Sequence, residues 1–453
     1  DAELIAWPQA AALRLRVLRR LHAQFGQMPR ALQARYAAWR QAAGPSLRSH
    51  AVFEAMQTEA VERELPPARL PDHPGAHGIQ AYADTHAREV DFHLFAQWLA
   101  DESLRQAQDA ARQNGMGIGL IADMAVGSAT DGSQVLADPR AYLAGMTVGA
   151  PPDLYNPAGQ SWGVTSFAPH RLRPTGYRAF LDTLRAGLRH AGGVRIDHIL
   201  GLSRLWTVPP QAGPADGAYL RYPLDDLLRL AALEAHRHGA LIVGENLGTV
   251  PEGLNDKLEQ RGLLGTEVLW FQRDHPSGRP RKPAVFMPPG RWSAHALAMP
   301  TTHDLPTLHG WWHERDIDWR VRLHGVPDAE AAAARQQRAG QAADADCTGR
   351  CVVGAGHAGG AAHAAQSRRK LQRVHQPCGC AAADVRVLDV HSHHGTGHGS
   401  RRRQYTGHHV GLVAAADHVG HGLRCSLVRH MQGLDTGLQA EFLRVEMGRA
   451  THT

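Results

Sequence analysis

Apolar positions recur at helical spacing in four long stretches: AALRLRVLRRLHAQF (11–25), EVDFHLFAQWLADESLRQAQDAAR (89–112), TGYRAFLDTLRAGLRHA (175–191) and RYPLDDLLRLAALEAHRHG (221–239). Residues three and four apart share one face of a helix, so each stretch predicts an amphipathic helix with that face buried. Between or after them come short apolar runs at 119–122, 194–196, 240–243, 267–271 and 296–299. Each is short enough for a strand covered on both faces. Their alternation with helices predicts βα units around a parallel sheet rather than a sandwich. The fold class is therefore α/β.

An acidic residue closes four of these stretches: GLIAD at Asp123, GGVRID at Asp197, ALIVGE at Glu245 and ALAMPTTHD at Asp304. In a (β/α)8 barrel the carboxyl ends of all strands open on one face, where residues distant in sequence meet one substrate. The 59 residues from Glu245 to Asp304 equal about two βα units of roughly 30 residues each, with 267–271 as the strand between. A TIM barrel is the expected architecture. Carboxylates gathered at one rim suit glycosidic bond chemistry. One acts as nucleophile, and another, kept protonated by its surroundings, donates to the leaving oxygen. A third can hold sugar hydroxyls. On position alone, an acid after a strand serves equally well as a helix N-cap or an ion-pair partner, so spacing leaves both readings open.

Composition divides the chain in two. A length of 453 residues with 43% apolar and 20% charged positions excludes a disulfide-stapled miniature and a mainly disordered chain. No run of about 18 apolar residues is present to span a bilayer. The chain opens on Asp1, and its Arg-rich first 21 residues lack an apolar signal core, so the opening reads as the start of a fragment. The formal net charge of +6 sits entirely in residues 347–453, which hold 13 Arg plus Lys against 6 Asp plus Glu. The same segment takes Cys347, Cys351, Cys378, Cys380 and Cys425 and 13 of the 30 histidines, while all ten tryptophans lie at or before Trp319. With Tyr405 and Phe442 as its only aromatics, it has little from which to build a core. Zinc binding and a basic nucleic-acid arm are two readings of this tail, although no C-x2-C…H-x3-H spacing supports the first. The abrupt shift, together with 46 Arg against 3 Lys over the whole chain, favours a third, a shifted reading frame in a GC-rich gene. The expected organisation is a catalytic unit with inserted helical segments over 1–345, followed by a Gly/Ala/His/Arg-rich tail over 346–453, disordered or frameshifted. The absence of cysteine before 347 fits a cytoplasmic enzyme.

The words around the acids are more specific than their spacing. Arg-Ile-Asp-His at 195–198, Gly-Glu-Asn-Leu-Gly-Thr at 244–249 and Thr-His-Asp-Leu-Pro-Thr at 302–307 resemble the nucleophile, acid/base and stabiliser motifs of glycoside hydrolase family 77, the bacterial 4-alpha-glucanotransferases. PPDLYNPAGQSWG at 151–163 and ADMAVG at 122–127 resemble that family's active-site loop and third-strand motif. The order is also the family's, and the resemblance extends over about residues 1–322. A lone Arg-Ile-Asp-His would point only to the wider α-amylase clan.

The resemblance implies a clan-type (β/α)8 barrel and transfer of α-1,4-glucan segments by a retaining double displacement. Asp197 is the implied nucleophile, Glu245 the acid/base and Asp304 the group that binds hydroxyls of the distorted donor sugar. The carboxyl groups of the first two are expected about 5 to 5.5 Å apart. Arg195, two residues before Asp197 and so on the same strand face, should hold that carboxylate through a charge-assisted hydrogen bond. His198 and His303 would bind sugar hydroxyls or cap strand ends, and Asp123 would touch the site or orient Arg195. Tyr155 and Trp162 offer apolar faces to glucose rings, with Asp153, Asn156 and Gln160 as hydroxyl partners, or else pack the loop. The chemistry implies no metal and no organic cofactor, and a glucan donor and acceptor rather than nucleic acid or membrane. Against the family pattern, the chain is expected to lack the first two barrel strands and the closing strand, and Asn246 stands where Asp is common. The competing reading is an inactive α-glucan-binding remnant.

Overall fold

The computed structural model describes residues 5–63, 77–143, 145–153, 156–274 and 285–338. The tail over 346–453, with every cysteine, lies outside the described residues.

Five parallel strands lie at the centre: β1 (Ile121–Met124), β2 (Gly193–Ile196), β3 (Leu241–Gly244), β4 (Gly265–Val268) and β5 (Ala296–Met299). β1, β2 and β3 lie side by side, β4 pairs with β5, and a parallel bridge between Val243 and Leu264 links the two sets. The register sets four rows across the first sheet: Ile121, Gly193 and Leu241; Ala122, Val194 and Ile242; Asp123, Arg195 and Val243; Met124, Ile196 and Gly244. Alternate residues of a strand face opposite sides. Val194 and Ile196 bury against Phe180, Leu184 and Leu188 of helix Arg178–Leu188 and Leu227 and Leu228 of helix Leu224–His238. The row with Asp123 and Arg195 therefore turns to the opposite face, away from the helices.

Those two helices form where the 3.6-residue pattern predicts. Leu224–His238 carries Asp225 and Asp226 in its first turn and His236, Arg237 and His238 in its last, which suits the helix dipole. It stops at Gly239, whose φ of 57° is the left-handed conformation that glycine adopts without Cβ strain. Glu234, buried on this helix, accepts from Arg185 Nε and Nη2 at 2.8 Å each. These bonds clamp the pair of helices and hold the Glu234 carboxyl down at about 2.

Ahead of the sheet, α1 (Trp7–Gln24), α2 (Arg30–Ala42), α3 (Gly44–Glu62), α4 (His77–Thr85) and α5 (Ala87–Gln113) form a helical layer. Phe25, Tyr36, Phe95 and Trp98 pack edge-on and tilted within it. Asp101 of α5 ties the layer to the end of helix Arg178–Leu188, accepting from Trp39 Nε1 at 3.0 Å and meeting His190 Nε2 at 2.9 Å. α2, α3 and α4 lie outside the four stretches of helical periodicity. α3 buries Ala51, Val52, Phe53 and Ala55 together and so has no clean stripe to read.

Three further expectations need correction. β1 begins two residues later than the 119–122 run and contains Asp123. Gly119 has a φ of 77° and the Leu120 N–H donates to Gln108 Oε1 at 2.6 Å, so α5 claims these residues before the sheet can. β4 occupies Gly265–Val268, not 267–271, because pairing with β5 ends at Val268 opposite Met299, and Leu269–Phe271 turns into a 3-10 helix. An antiparallel sheet that the pattern did not signal runs in the order Gln160–Ser161, Thr147–Ala150, Arg204–Val208, Ala218–Arg221. Among the described residues, no helix is long and apolar enough to cross a membrane.

Candidate active site

The parallel ladder continues past the strand ends and places two acids together. The Asp197 N–H donates to the Met124 carbonyl and the Glu245 N–H to the Ile196 carbonyl, both at 2.9 Å. Register is thereby kept, and Asp197 comes opposite Glu245 on the face that carries Asp123 and Arg195. Neighbouring strands lie about 4.7–4.9 Å apart, so the two carboxyls leave the sheet side by side.

Arg195 organises the charges. Its Nη1 donates to both Asp123 oxygens at 2.7 and 2.8 Å, and its Nη2 meets Asp197 Oδ1 at 2.9 Å. Burial alone would depress its pKa, but the surrounding carboxylates Asp123, Asp197 and Glu245 raise it, so the guanidinium stays charged. Burial raises the Asp123 pKa despite Arg195, with Asp197 adding to the rise. Asp123 thus accepts both bonds from Arg195 Nη1.

Glu245 has different surroundings. Its Oε2 accepts the His198 N–H at 2.8 Å, and the Leu247 N–H also bonds to it. Burial first, then the charge of Asp197, raises its pKa against the pull of Arg195 and the two N–H donors. Its proton persists to higher pH than on an ordinary glutamate. The donor geometry depends on His198 adopting a φ of 46°, a left-handed conformation that costs a non-glycine residue about 1–3 kcal/mol. Burial lowers the His198 pKa, and its ring meets Trp162 edge-on at 5.2 Å between centroids.

The residues flanking Glu245 are fixed as well. A Cβ on Gly244 would stand 2.3 Å from Ile199 Cδ1 and 2.9 Å from its Cγ2, so any larger residue there would displace Ile199. Asn246 Oδ1 accepts from the Thr266 N–H at 2.9 Å and its hydroxyl at 3.0 Å, while its Nδ2 donates to Asn255 Oδ1 at 2.9 Å. The side chain next to Glu245 thus stitches β3 to β4.

Asp304 follows β5 in a loop, and its side chain is 78% exposed with His303 Nε2 at 3.3 Å. His303 acts electrostatically on Asp123, which brings this loop to the same end of the sheet. Buried Thr301 braces the loop, accepting from Trp270 Nε1 at 3.2 Å and donating to the Pro306 carbonyl at 2.9 Å. Arg195 thus bonds Asp123 and Asp197, His198 bonds Glu245, and the two groups interact through the charges of Arg195, Asp197 and Glu245, with His303 acting on Asp123 by its field.

The 151–163 loop hangs from the antiparallel sheet. Its turn is closed by the Asn156 N–H on Asp153 Oδ1 at 2.6 Å and the Asp153 N–H on the Asn156 carbonyl at 3.1 Å. Asp153 and Asn156 are exposed, and Gln160 accepts from Trp162 Nε1 at 3.1 Å. Trp162 of this loop touches His198; Tyr155 lies outside the described residues. Sequence reading missed the backbone donors of His198 and Leu247, which leave no side-chain signal. No group of three or more His, Cys, Asp or Glu side chains able to hold a metal ion occurs among the described residues.

Residues 1–388 match the sequence profile of the 4-alpha-glucanotransferases, glycoside hydrolase family 77, and the chain belongs to that family. It is 41% identical over 324 residues to the 4-alpha-glucanotransferase of Mycobacterium tuberculosis, covering 71% of this chain and 44% of that protein. The Haemophilus influenzae 4-alpha-glucanotransferase is 36% identical over 239 residues, with 53% and 33% covered. The chain thus spans less than half the length of these relatives. Amylomaltase from Corynebacterium glutamicum superposes with a TM-score of 0.61 at 34% identity, covering 73% of this chain and 44% of that one. Amylomaltase from Streptococcus agalactiae, solved in complex with acarbose, shares the fold at a TM-score of 0.59 and 19% identity, with 73% and 68% covered. The mixed α/β fold read from the helix and strand pattern is the amylomaltase type.

Proposed function

We propose that the chain carries the catalytic face of a 4-alpha-glucanotransferase that moves α-1,4-glucan segments between maltooligosaccharides. The observation that carries this reading is the contrast between two adjacent carboxyls. Asp197 has Arg195 at 2.9 Å, whereas burial and the charge of Asp197 favour the protonated form of Glu245. Two acids so placed suit a nucleophile and a proton donor.

In the first step the Asp197 oxygen attacks the anomeric carbon while Glu245 gives its proton to the departing glycosidic oxygen. The glycosidic bond breaks, and a covalent glycosyl ester of inverted configuration forms. Glu245, now a carboxylate, takes the proton from the 4-hydroxyl of an incoming glucan. That oxygen displaces Asp197 and regenerates the α-linkage, so two inversions give retention. Asp304 binds donor hydroxyls and strengthens that hold as oxocarbenium character grows, with His198 and His303 beside the reacting bond. Arg195, held by Asp123, positions the nucleophile. Asp153, Tyr155, Asn156, Gln160 and Trp162 receive the acceptor glucan and exclude water. Acarbose, the ligand in the Streptococcus agalactiae complex, is expected to occupy this site.

On this reading the five parallel strands are an arc of a (β/α)8 barrel and residues 1–345 make the catalytic unit. The enzyme would work in the cytoplasm on soluble glucan and without nucleic acid. Incubation with maltotriose tests the proposal. Glucose plus a ladder of longer maltooligosaccharides is expected, and Asp197→Ala should abolish it. Binding without turnover would leave the glucan-binding remnant as the better account, and a ladder from Asp197→Ala would remove the nucleophile assignment.

A further inference from the structure

A pair of neighbouring histidines lies on the helical turn that follows the Asp304 loop. Helix Leu308–Trp312 begins at Thr307, whose hydroxyl accepts the Gly310 N–H at 2.9 Å, and its Trp311 is 5% exposed. The Trp311 N–H reaches the Thr307 carbonyl at 2.8 Å and the His313 N–H the His309 carbonyl at 3.1 Å. Arg338 lies over the Trp311 ring at 4.8 Å and is paired with Asp316. The turn is therefore capped, anchored and braced rather than frayed.

His309 and His313 leave this turn four residues apart and are both exposed. Their ring centroids are 4.2 Å apart at an interplanar angle of 39°. His313 Nδ1 lies 2.9 Å from the His309 carbonyl oxygen, so that nitrogen carries the ring proton and donates it. Fixing the proton on Nδ1 leaves the Nε2 lone pair of His313 free and directed. Metal-ligating histidines are oriented in just this way, by a bond from the other ring nitrogen to a carbonyl. Two imidazoles at i and i+4 on one helical face can meet one ion at bond lengths of about 2.0–2.1 Å.

We infer that His309 and His313 form a two-histidine site for a borderline transition-metal ion, Zn2+, Ni2+ or Cu2+, with water completing the coordination. Imidazole selects these ions over Mg2+ or Ca2+, which prefer oxygen. The inference stands independently of the catalytic reading, since it needs only the geometry of the turn.

With 30 histidines in the chain, total metal uptake would not identify this site, so the test is residue-resolved. The full-length protein is carbethoxylated with diethyl pyrocarbonate over a Zn2+ titration, and the modification of each histidine is read by peptide mass spectrometry. His309 and His313 should become protected together, with one midpoint. In His309→Phe, which keeps a ring against His313, the midpoint for His313 should move to at least about tenfold higher Zn2+ through loss of chelation. Magnesium should protect neither. Separate midpoints for the two rings, unchanged protection of His313 in His309→Phe, or no protection in the wild-type protein would each overturn the assignment. Thermal unfolding of His309→Phe without metal, matched to wild type, establishes that the turn is intact.

Discussion

At the scale of single residues, neighbouring carboxyls have unequal surroundings. Glu245 is bonded by two backbone N–H groups, which favour its anion, yet burial and the charge of Asp197 prevail and raise its pKa. A proton donor is active below its pKa, so the alkaline limb of the kcat/KM profile, which reports the free enzyme, should lie above the ordinary glutamate range. Glu245→Gln should lower kcat on maltotriose by about 10²–10⁴-fold. α-Glucosyl fluoride needs no proton on its leaving group, so with it the first step should be largely restored and the alkaline limb should vanish from that step. An unchanged limb in Glu245→Gln would assign that ionisation to another group. Asp123 also has a raised pKa, with Arg195 opposing the rise; on the proposed reading its bonds to Arg195 make it a positioning residue for Asp197.

At the scale of elements, a few polar side chains decide whether the strands deliver those carboxyls correctly. Asn246 supplies the acceptor for the backbone N–H of Thr266, a residue 4% exposed. Asn246→Ala should cost about 1–3 kcal/mol by leaving that donor unsatisfied, and should lower kcat by loosening Glu245. Asn246→Asp keeps the acceptor and should retain most of both, as urea unfolding and maltotriose turnover would show. In α3, burial pushes the Glu54 carboxyl up to about 7, with His50 at 3.8 Å. A carboxyl raised in the folded state contributes stability below its unfolded value, and that contribution is lost as pH rises toward 7. Glu54→Gln should therefore raise Tm relative to wild type at pH 8, by the equivalent of up to about 3 kcal/mol, and the gain should disappear near pH 4.

The same elements show what the sequence made legible. Helices Arg178–Leu188 and Leu224–His238 bury one stripe each, and their periodicity located them. α3 buries several sides and gave no stripe. β1 kept its apolar run but moved along it, because Gln108 of α5, distant in sequence, binds Leu120. The positions of Asp197 and Glu245 directly after β2 and β3 were readable from the apolar runs before them, whereas the His198 backbone donor depends on a φ of 46° that no residue type announces.

At the scale of the whole molecule, the parallel strands and the antiparallel sheet approach the reacting position from different directions. The strands present Asp197 and Glu245; the antiparallel sheet carries the 151–163 loop, whose Trp162 N–H on the backbone donates to the Val148 carbonyl at 3.0 Å. The indole then meets His198 at 5.2 Å, so one aromatic residue joins the loop to the turn that supplies the Glu245 donor. This arrangement bears on the difference between transfer and hydrolysis. A sugar hydroxyl competes with water at about 55 M for the same glycosyl ester, and it prevails only where it is oriented and water is excluded. Trp162→Ala removes the apolar cover while leaving Asp197, Arg195 and Glu245 with their partners. The expected result is a modest fall in total turnover of maltotriose together with a several-fold rise in the share of reducing ends formed by hydrolysis, measured as new reducing ends against redistributed chain lengths. Trp162→Phe keeps a flat apolar ring and should stay close to wild type. If Trp162→Ala lowered transfer and hydrolysis in equal proportion, the ring would be acting only as packing for His198, and water exclusion would have to come from elsewhere in the loop.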